Sequence, residues 1–361
     1  TEVEPHVDEW IEAHAIPKSF WRKAGAAGLL AVGVPEEYGG PGGDFRHRLV
    51  VTQEIGYSVA GASMSAAFEA DQISEQIIDN GTEEQKRKWL PLMATGEARF
   101  GFAITEPDSG SDVSSIRTTA RRIGADWILN GSKMYITNGG IADFGVVASM
   151  TDAGPAHASI SLFLVDTHQP GFKPSQPLDK LGLRASNTVG ISLDEVRVPA
   201  RNMLGEEGRG FRYVMSGFQE ERLVSSIYAY TSAFQAIEDT LSYLNDRRAF
   251  GAPLIERQAI RHTLAQLTAE LEAVRQLCYA AAWSIHNGKD ATREVSMCKL
   301  LAAEIANRVA YQAMQFHGGF GYMEECAIAR YYRDIRLYAI GGGASEVMRD
   351  IIAKRMFDTE V

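Results

Sequence analysis

Residues Gln315–Glu346 read QFHGGFGYMEECAIARYYRDIRLYAIGGGASE. Gly318, Gly319 and Gly321 break the helical pattern before them, because glycine loses the most backbone freedom on entering a helix. A helix-like stretch follows and ends in Gly341–Gly343, after which SEVMRD opens a final helix. The amides at the start of that helix are free to hold a phosphate or ribose group. The glycines before it let backbone come close to a ligand.

Working outward, helical periodicity runs back to Gly208, with Gly251-Ala252-Pro253, Asn287-Gly288 and Gly318-Gly319 as breakers. From Phe100 to about Pro199 the period changes to short β-like runs: FGFAIT, TTARRI, WILNGSKMYIT, FGVVAS, ISLFLV and VGISLDEVRV. Asn130-Gly131, between alternating runs, predicts a hairpin. Strands this close in sequence favour an antiparallel barrel or sandwich over a parallel sheet. Upstream, Phe20, Trp21, Ala24, Ala27 and Leu30 keep helix-like spacing, and Thr82 with Gln85 predicts a capping box. The expected fold class is α+β. An N-terminal all-α domain spans 1–98, a middle antiparallel β-barrel or sandwich 99–205, and a C-terminal helical bundle 206–361. The first residues, TEVEPHVDEW, read as mid-helix, so the natural chain is expected to begin earlier.

The 361 residues are 45% apolar and 23% charged, with a net charge of −10. Those fractions describe a soluble globular protein of two or three domains. The acidic balance argues against a nucleic-acid binder and a basic membrane-surface protein. No apolar run approaches the roughly 20 residues of a bilayer span. Cys278, Cys298 and Cys326 form no CxxC, which points to buried, reduced thiols. The histidines show no metal-binding spacing, and neither a Walker A string nor a GxGxxG after a strand is present.

Four strings carry the chemistry. In Ala103–Ser115, AITEPDSGSDVSS, Pro107, Ser109 and Gly110 force a turn after a strand. The turn frees backbone amides and the Thr105 and Ser111 hydroxyls. Alone, it reads as an ordinary polar loop. Tyr135-Ile136-Thr137-Asn138 follows about thirty residues later; alone, Tyr135 is a strand residue. In RRAFGAPLIERQ a helix ends at Phe250-Gly251, and Arg247 near that end complements the helix dipole. The fourth string is the opening stretch, in which a lone His317 reads as a packing residue.

In this order, together with VPEEYGG near the N-terminus, the strings are similar to the signatures of the acyl-CoA dehydrogenase family. The resemblance implies that family's fold, with a four-helix bundle at the C-terminus, and FAD as cofactor. It implies that Phe102, Ile104, Thr105, Gly110 and Ser111 hold the flavin, with Ser111 also near the acyl-CoA thioester. Tyr135 stands where the family usually has Trp, packed on the flavin, and Thr137 near its N5. Arg247, Phe250, Gln258, Gln315, Gly318 and Gly319 match positions that reach across a subunit interface to a neighbour's FAD. Arginine suits that diphosphate because its fork donates two bonds at once. Ala344 and Glu346 match flavin contacts but depart from the usual Thr and Gln or Asn. A negative Glu346 beside FAD would need a partner.

The resemblance also exposes a gap, since many members carry their catalytic glutamate where Gly342 stands. Placed on a helix, FQEERL (Phe218–Leu223) puts Glu221 at the edge of an apolar face shared by Phe211, Val214, Met215, Phe218 and Ser225, while Glu220 points away. A carboxyl beside an apolar stripe has a raised pKa, which suits a general base. For an arbitrary helix, a surface glutamate paired with Arg222 or Arg212 is the plainer reading. The long-chain and isovaleryl-type branches also have Gly in the closing motif, with their base in an E-R-L string on this helix. The resemblance therefore implies that Glu221 takes the α proton of an acyl-CoA while the β hydride passes to N5 of FAD. Gly342 is expected to act through its N–H on the thioester carbonyl, and Phe218, Arg222, Gly341 and Ser111 to contact substrate. Moving the base frees space near the β and γ carbons, which favours long or branched acyl groups.

The implied partners are acyl-CoA, an electron-transfer flavoprotein as acceptor, and further copies of the chain in a homo-oligomer, a dimer of dimers. Alternatives are an acyl-CoA oxidase and a non-catalytic subunit of a hetero-oligomer. The Ala- and Arg-rich composition suggests a bacterial, cytoplasmic chain; a eukaryotic one would sit in the mitochondrial matrix.

Overall fold

The structure is a computed structural model that describes residues 2–68, 70–151, 154–155 and 158–357. The first helices are α1 (Val7–Ala13), α2 (Lys18–Ala26), α3 (Phe45–Gly56), α4 (Gly61–Phe68), α5 (Ala70–Asn80) and α6 (Glu83–Ala94). The N-terminal residues are not mid-helix: Glu4–His6 form a 3-10 turn ahead of α1. Pro5 has no N–H to donate and favours a first turn. At α6 both bonds of the capping box form, Gln85 N–H to Thr82 Oγ1 at 3.2 Å and Thr82 N–H to Gln85 Oε1 at 3.0 Å. Gln85 also donates to the carbonyls of Arg201 and Met203, which ties α6 to the following domain. Thr82→Ala is expected to cost about 1 kcal/mol in urea denaturation.

The middle strands are β1 (Phe100–Ala103), β2 (Thr119–Ile123), β3 (Asp126–Thr137), β4 (Phe144–Met150), β5 (Ile160–Asp166), β6 (Phe172–Pro174), β7 (Thr188–Pro199) and β8 (Met203–Leu204). The sheet runs β6-β7-β3-β2-β4-β5-β8, with β1 beside β4. The expected antiparallel pairing holds for β2·β3, β3·β7, β4·β5, β5·β8 and β6·β7. The exceptions make the sheet mixed: β1 lies parallel to β4, and β2 meets β4 in a single parallel pair. Both faces of β4 and β5 are covered, so their runs are apolar throughout instead of alternating. Val146, Leu162 and Leu164 pack toward the helices, whereas Val147, Phe163 and Val165 pack inside the curled sheet with Trp127, Leu129 and Val196.

Asn130-Gly131 is not a hairpin turn. It lies within β3, where the register against β7 shifts between Leu129 and Gly131. Gly131 has φ +153°, and a Cβ there would lie 2.5 Å from Thr118 Oγ1. A glycine inside a strand often marks such a bulge and close approach. Asn130 is used across the sheet, bonding both the backbone and the side chain of Glu195.

The rest is α7 (Gly210–Asp246), the small hairpin β9 (Arg248–Ala249) and β10 (Ala252–Pro253), then α8 (Gln258–His286), α9 (Thr292–His317), α10 (Ala327–Ile335) and α11 (Ser345–Phe357). The breakers fall where expected: Gly251 in the hairpin, Asn287-Gly288 after α8, and Gly318-Gly319 after α9. α7 is buried through its middle, where α3, α5, α8, α9 and α10 pack on it. Cys278, Cys298 and Cys326 are buried free thiols. Among the described residues no helix is long and apolar enough to cross a membrane.

Candidate active site

The four strings gather into two clusters. In the first, the turn after β1 is bonded to β3. Met134 N–H donates to Thr105 O at 2.9 Å, and Lys133 Nζ donates to Ile104 O at 3.1 Å. Lys133 also pairs with Glu106 at 2.8 Å, in a site where Glu106 accepts from the Arg117 and Thr118 amides and the Thr118 hydroxyl. Burial pushes the Glu106 carboxyl up, but the Lys133 charge and these hydrogen bonds outweigh it and hold it low. Burial also lowers Lys133, to about 8, against the pull of Glu106. This buried pair anchors the loop that carries Gly110 and Ser111, both exposed.

Tyr135 stands beside that loop at a second irregularity, where the β3·β7 register shifts between Lys133 and Ile136. Its φ is +61° and its ring is 68% exposed. The bulge turns an aromatic side chain out of the strand, at the cost of backbone strain that tyrosine rarely tolerates. Thr137 is half-buried, and Asn138 is buried with its amide on Phe100 O at 3.3 Å. Phe102, within β1, is half-buried, and Ile104, just after that strand, is buried.

The second cluster sits at the far end of α7. Arg247 follows that helix and is exposed, as are Gln258 and Gln315. Phe250, at the tip of the β9–β10 hairpin, has φ +53° and is 96% exposed, with the Arg257 guanidinium 5.8 Å from its ring centre. Tyr243 of α7 stacks on His317 at 4.2 Å and donates to His317 O, which joins the hairpin end to the Gln315–Gly319 turn. His317 thus packs, as its reading as a lone histidine anticipates. A side chain on Gly318 or Gly319 would meet nothing within 4 Å.

The catalytic candidates meet between α5, α7 and α9. Glu221 pairs with neither Arg222 nor Arg212 at a surface. Its Oε2 accepts from Gln72 Nε2 of α5 at 3.0 Å. A Cβ on Gly342 would lie 3.6 Å from Glu221 Oε1 and 3.4 Å from Ser225 Oγ. Burial pushes the Glu221 pKa up; the Gln72 hydrogen bond and the charges of Arg222, Lys299 and Arg48 oppose this without cancelling it. Glu220 does point elsewhere, but not into open solvent. It faces α3 and α5, where Arg48 bridges it to Glu75, and burial together with Glu75 raises it to about 8.

Arg222 is 9% exposed, its Nε has no hydrogen-bond partner among the described residues, and its guanidinium sits 5.5 Å from the Phe218 ring centre. A Cβ on Gly343 would come within 3.4 Å of that Nε, so the glycine leaves room for it. Gly342 has φ +65°, a conformation in which glycine carries no penalty. Ala344 is half-buried where the turn enters α11, and the exposed Glu346 finds its partner in Arg349 at 3.6 Å.

Sequence reasoning missed Lys299. Only 2% exposed, it reaches from α9 to donate to the carbonyls of Tyr338, Gly341 and Gly343, which clamps the triglycine turn. Burial lowers it to about 8, while Glu221 pulls it up. A lysine amid the apolar SMCKLLAA run was the available signal. Gln72 gave none.

Three family models match the chain: acyl-CoA dehydrogenase N-terminal domain over residues 1–97, middle domain over 101–196 and C-terminal domain over 208–357. The chain is 39% identical to the mitochondrial long-chain specific acyl-CoA dehydrogenase of Mus musculus, across 98% of this chain and 83% of that protein. A crystal structure of an acyl-CoA dehydrogenase from Geobacillus kaustophilus superposes with a TM-score of 0.96 at 42% identity, over 99% of this chain and 94% of that one. A Mycobacterium smegmatis glutaryl-CoA dehydrogenase in complex with FADH2 does so at 0.90 and 32% identity, over 99% and 91%.

Proposed function

This chain belongs to the acyl-CoA dehydrogenase family, and we propose that Glu221 is the base with which it dehydrogenates an acyl-CoA thioester between Cα and Cβ. One observation carries the assignment: Glu221 Oε1 lies 3.6 Å from where a Cβ on Gly342 would be, so the carboxylate borders the space that a side chain at that position would enter. The base is thus delivered from α7 instead of from the closing turn.

The residues fit the family's cofactor, FAD. Tyr135 and Phe250 are strained, solvent-facing aromatics that the chain's own packing does not explain, and Gly110, Gly318 and Gly319 leave open backbone beside them. Phe102, Ile104, Thr105, Gly110, Ser111, Tyr135 and Thr137 would hold the flavin end, with Ala344 and Glu346 nearby. Arg247, Phe250, Gln258, Gln315, Gly318 and Gly319 of a neighbouring copy would take the dinucleotide, which makes a homo-oligomer the working form. Bound there, FAD supplies the acceptor for the β hydride, and an electron-transfer flavoprotein is the proposed onward acceptor.

Glu221 removes the α proton. The Gly342 N–H, on the turn that Lys299 clamps, donates to the thioester carbonyl and stabilises the charge that develops there. Arg222, Phe218, Ser111 and Gly341 line the substrate. Desolvation raises the Glu221 pKa, which favours its accepting a proton.

A base on α7 instead of on the closing turn is expected to free room beside the β and γ carbons for a long or branched acyl chain, and the long-chain specific relative of Mus musculus supports a long one. The test is to add straight and methyl-branched acyl-CoAs to the flavin-loaded protein without oxygen and follow the flavin absorbance. Palmitoyl-CoA or isovaleryl-CoA is expected to bleach it at least about tenfold faster than butyryl-CoA, a difference of roughly 1.4 kcal/mol. An optimum at butyryl-CoA overturns the substrate reading. Rapid peroxide formation in air would mark an oxidase, and no bleaching by any acyl-CoA a non-catalytic subunit.

A further inference from the structure

The two oxygens of Glu221 have unlike surroundings. Oε1 faces Gly342, whereas Oε2 is held by the Gln72 amide at 3.0 Å. Gln72 is 6% exposed and belongs to α5 of the N-terminal helices, 149 residues away in sequence. One turn on, Gln76 is 3% exposed, and its Nε2 lies 2.7 Å from where a Cβ on Gly217 would be. Gly217 precedes Glu221 by one turn of α7. Helix α5 therefore lays two buried amides against the base-bearing stretch of α7, through a gap that only glycine leaves open.

We propose that Gln72 is a positioning residue for the base: it holds Oε2 so that Oε1 is the oxygen presented to the substrate α-carbon, and it keeps the carboxylate ionised. This rests on the reading of Glu221 as base. The charged groups around Glu221 are Arg222 on its own helix, Lys299 from α9 and Arg48 from α3. Glu220 lies beside it in sequence, in a network with Glu75, Asp79 and the same Arg48. None of these charges replaces the directed amide. A donor on a carboxylate stabilises the charged form over the acid, so its loss raises the pKa of the base.

In the flavin-loaded enzyme, Gln72→Leu is expected to move the acidic limb of kcat/KM with palmitoyl-CoA up by about one to two pH units. Well below that limb, activity falls about 10- to 100-fold relative to wild type. On the alkaline plateau, where both bases are ionised, the loss is smaller. Gln72→Glu, which adds a like charge, moves the limb further. A second readout follows proton transfer alone: loss of deuterium from Cα of 3,3-dimethylbutanoyl-CoA, which has no β hydrogens, is expected to show the same displaced limb.

If Glu221→Gln keeps near-normal turnover, the base reading itself falls. If Glu221→Gln is inactive while Gln72→Leu shares the wild-type limb, only the Gln72 inference falls. A uniform loss at every pH would make Gln72 merely structural and also overturns it. Should Gln72→Leu not fold, Gln72→Met, closer in length, takes its place under the same criteria.

Discussion

Glu221→Gln is expected to lower turnover by about 10³- to 10⁴-fold while leaving flavin content and thermal midpoint near those of wild type. The substitution is isosteric, and the new amide oxygen can still accept the hydrogen bond that Gln72 gives to Oε2. What disappears is the capacity to take a proton. With Gly342 opposite, no side chain on the closing turn can substitute for the carboxylate. Glu220 is the nearest other acid in sequence, but Arg48 holds it toward α3 and Glu75. Steady-state kinetics with palmitoyl-CoA on protein of measured flavin content checks this. Turnover within tenfold of wild type would show that the proton goes elsewhere.

The second large effect concerns stability. Lys299→Met keeps the length and apolar stem of the side chain but removes the donor that reaches Tyr338, Gly341 and Gly343. A buried carbonyl that loses its donor costs about 1–3 kcal/mol, and less where the bond is only partly buried, as at Gly341 and Gly343. Part of this is offset, because the variant no longer buries an ammonium group, whose desolvation already lowers Lys299 to about 8. The net loss is expected to be about 2–5 kcal/mol, a large part of the roughly 5–15 kcal/mol that a folded protein has. Urea denaturation of the flavin-loaded protein checks the figure, and a loss under about 1 kcal/mol would mean that water or a shifted turn replaces the clamp. Because Gly342 sits on the clamped turn, the surviving folded fraction should also turn over more slowly.

Much of the architecture was legible because its determinants are local. The capping box needs only Thr82 and Gln85, three residues apart, and the structure forms both of its bonds. Gly251, Asn287-Gly288 and Gly318-Gly319 end or separate helices because glycine alone tolerates such backbone cheaply. The change from helical to strand periodicity at Phe100 is likewise a neighbour-to-neighbour signal. Asn130-Gly131 misled because an Asn-Gly pair suits a hairpin and a bulge equally well in sequence. The close approach of Thr118 decides between them, and that contact exists only after β2 has paired with β3.

The candidate site divides along the same line. By itself the sequence determined the helical and strand segments, the four motif strings, and the absence of a side chain at Gly342. It also singled out Glu221 as the acid at the edge of an apolar face. Tertiary structure alone decided what that acid touches. Gln72 reaches it from 149 residues away, Lys299 clamps a turn about forty residues downstream, and Lys133 of β3 meets Glu106 in the turn after β1. Such pairs leave no periodic trace, because a hydrogen bond between distant residues depends on chain closure and burial and not on spacing. The pKa of Glu221 follows from burial and from those distant partners, so it belongs to the fold and not to the string around it.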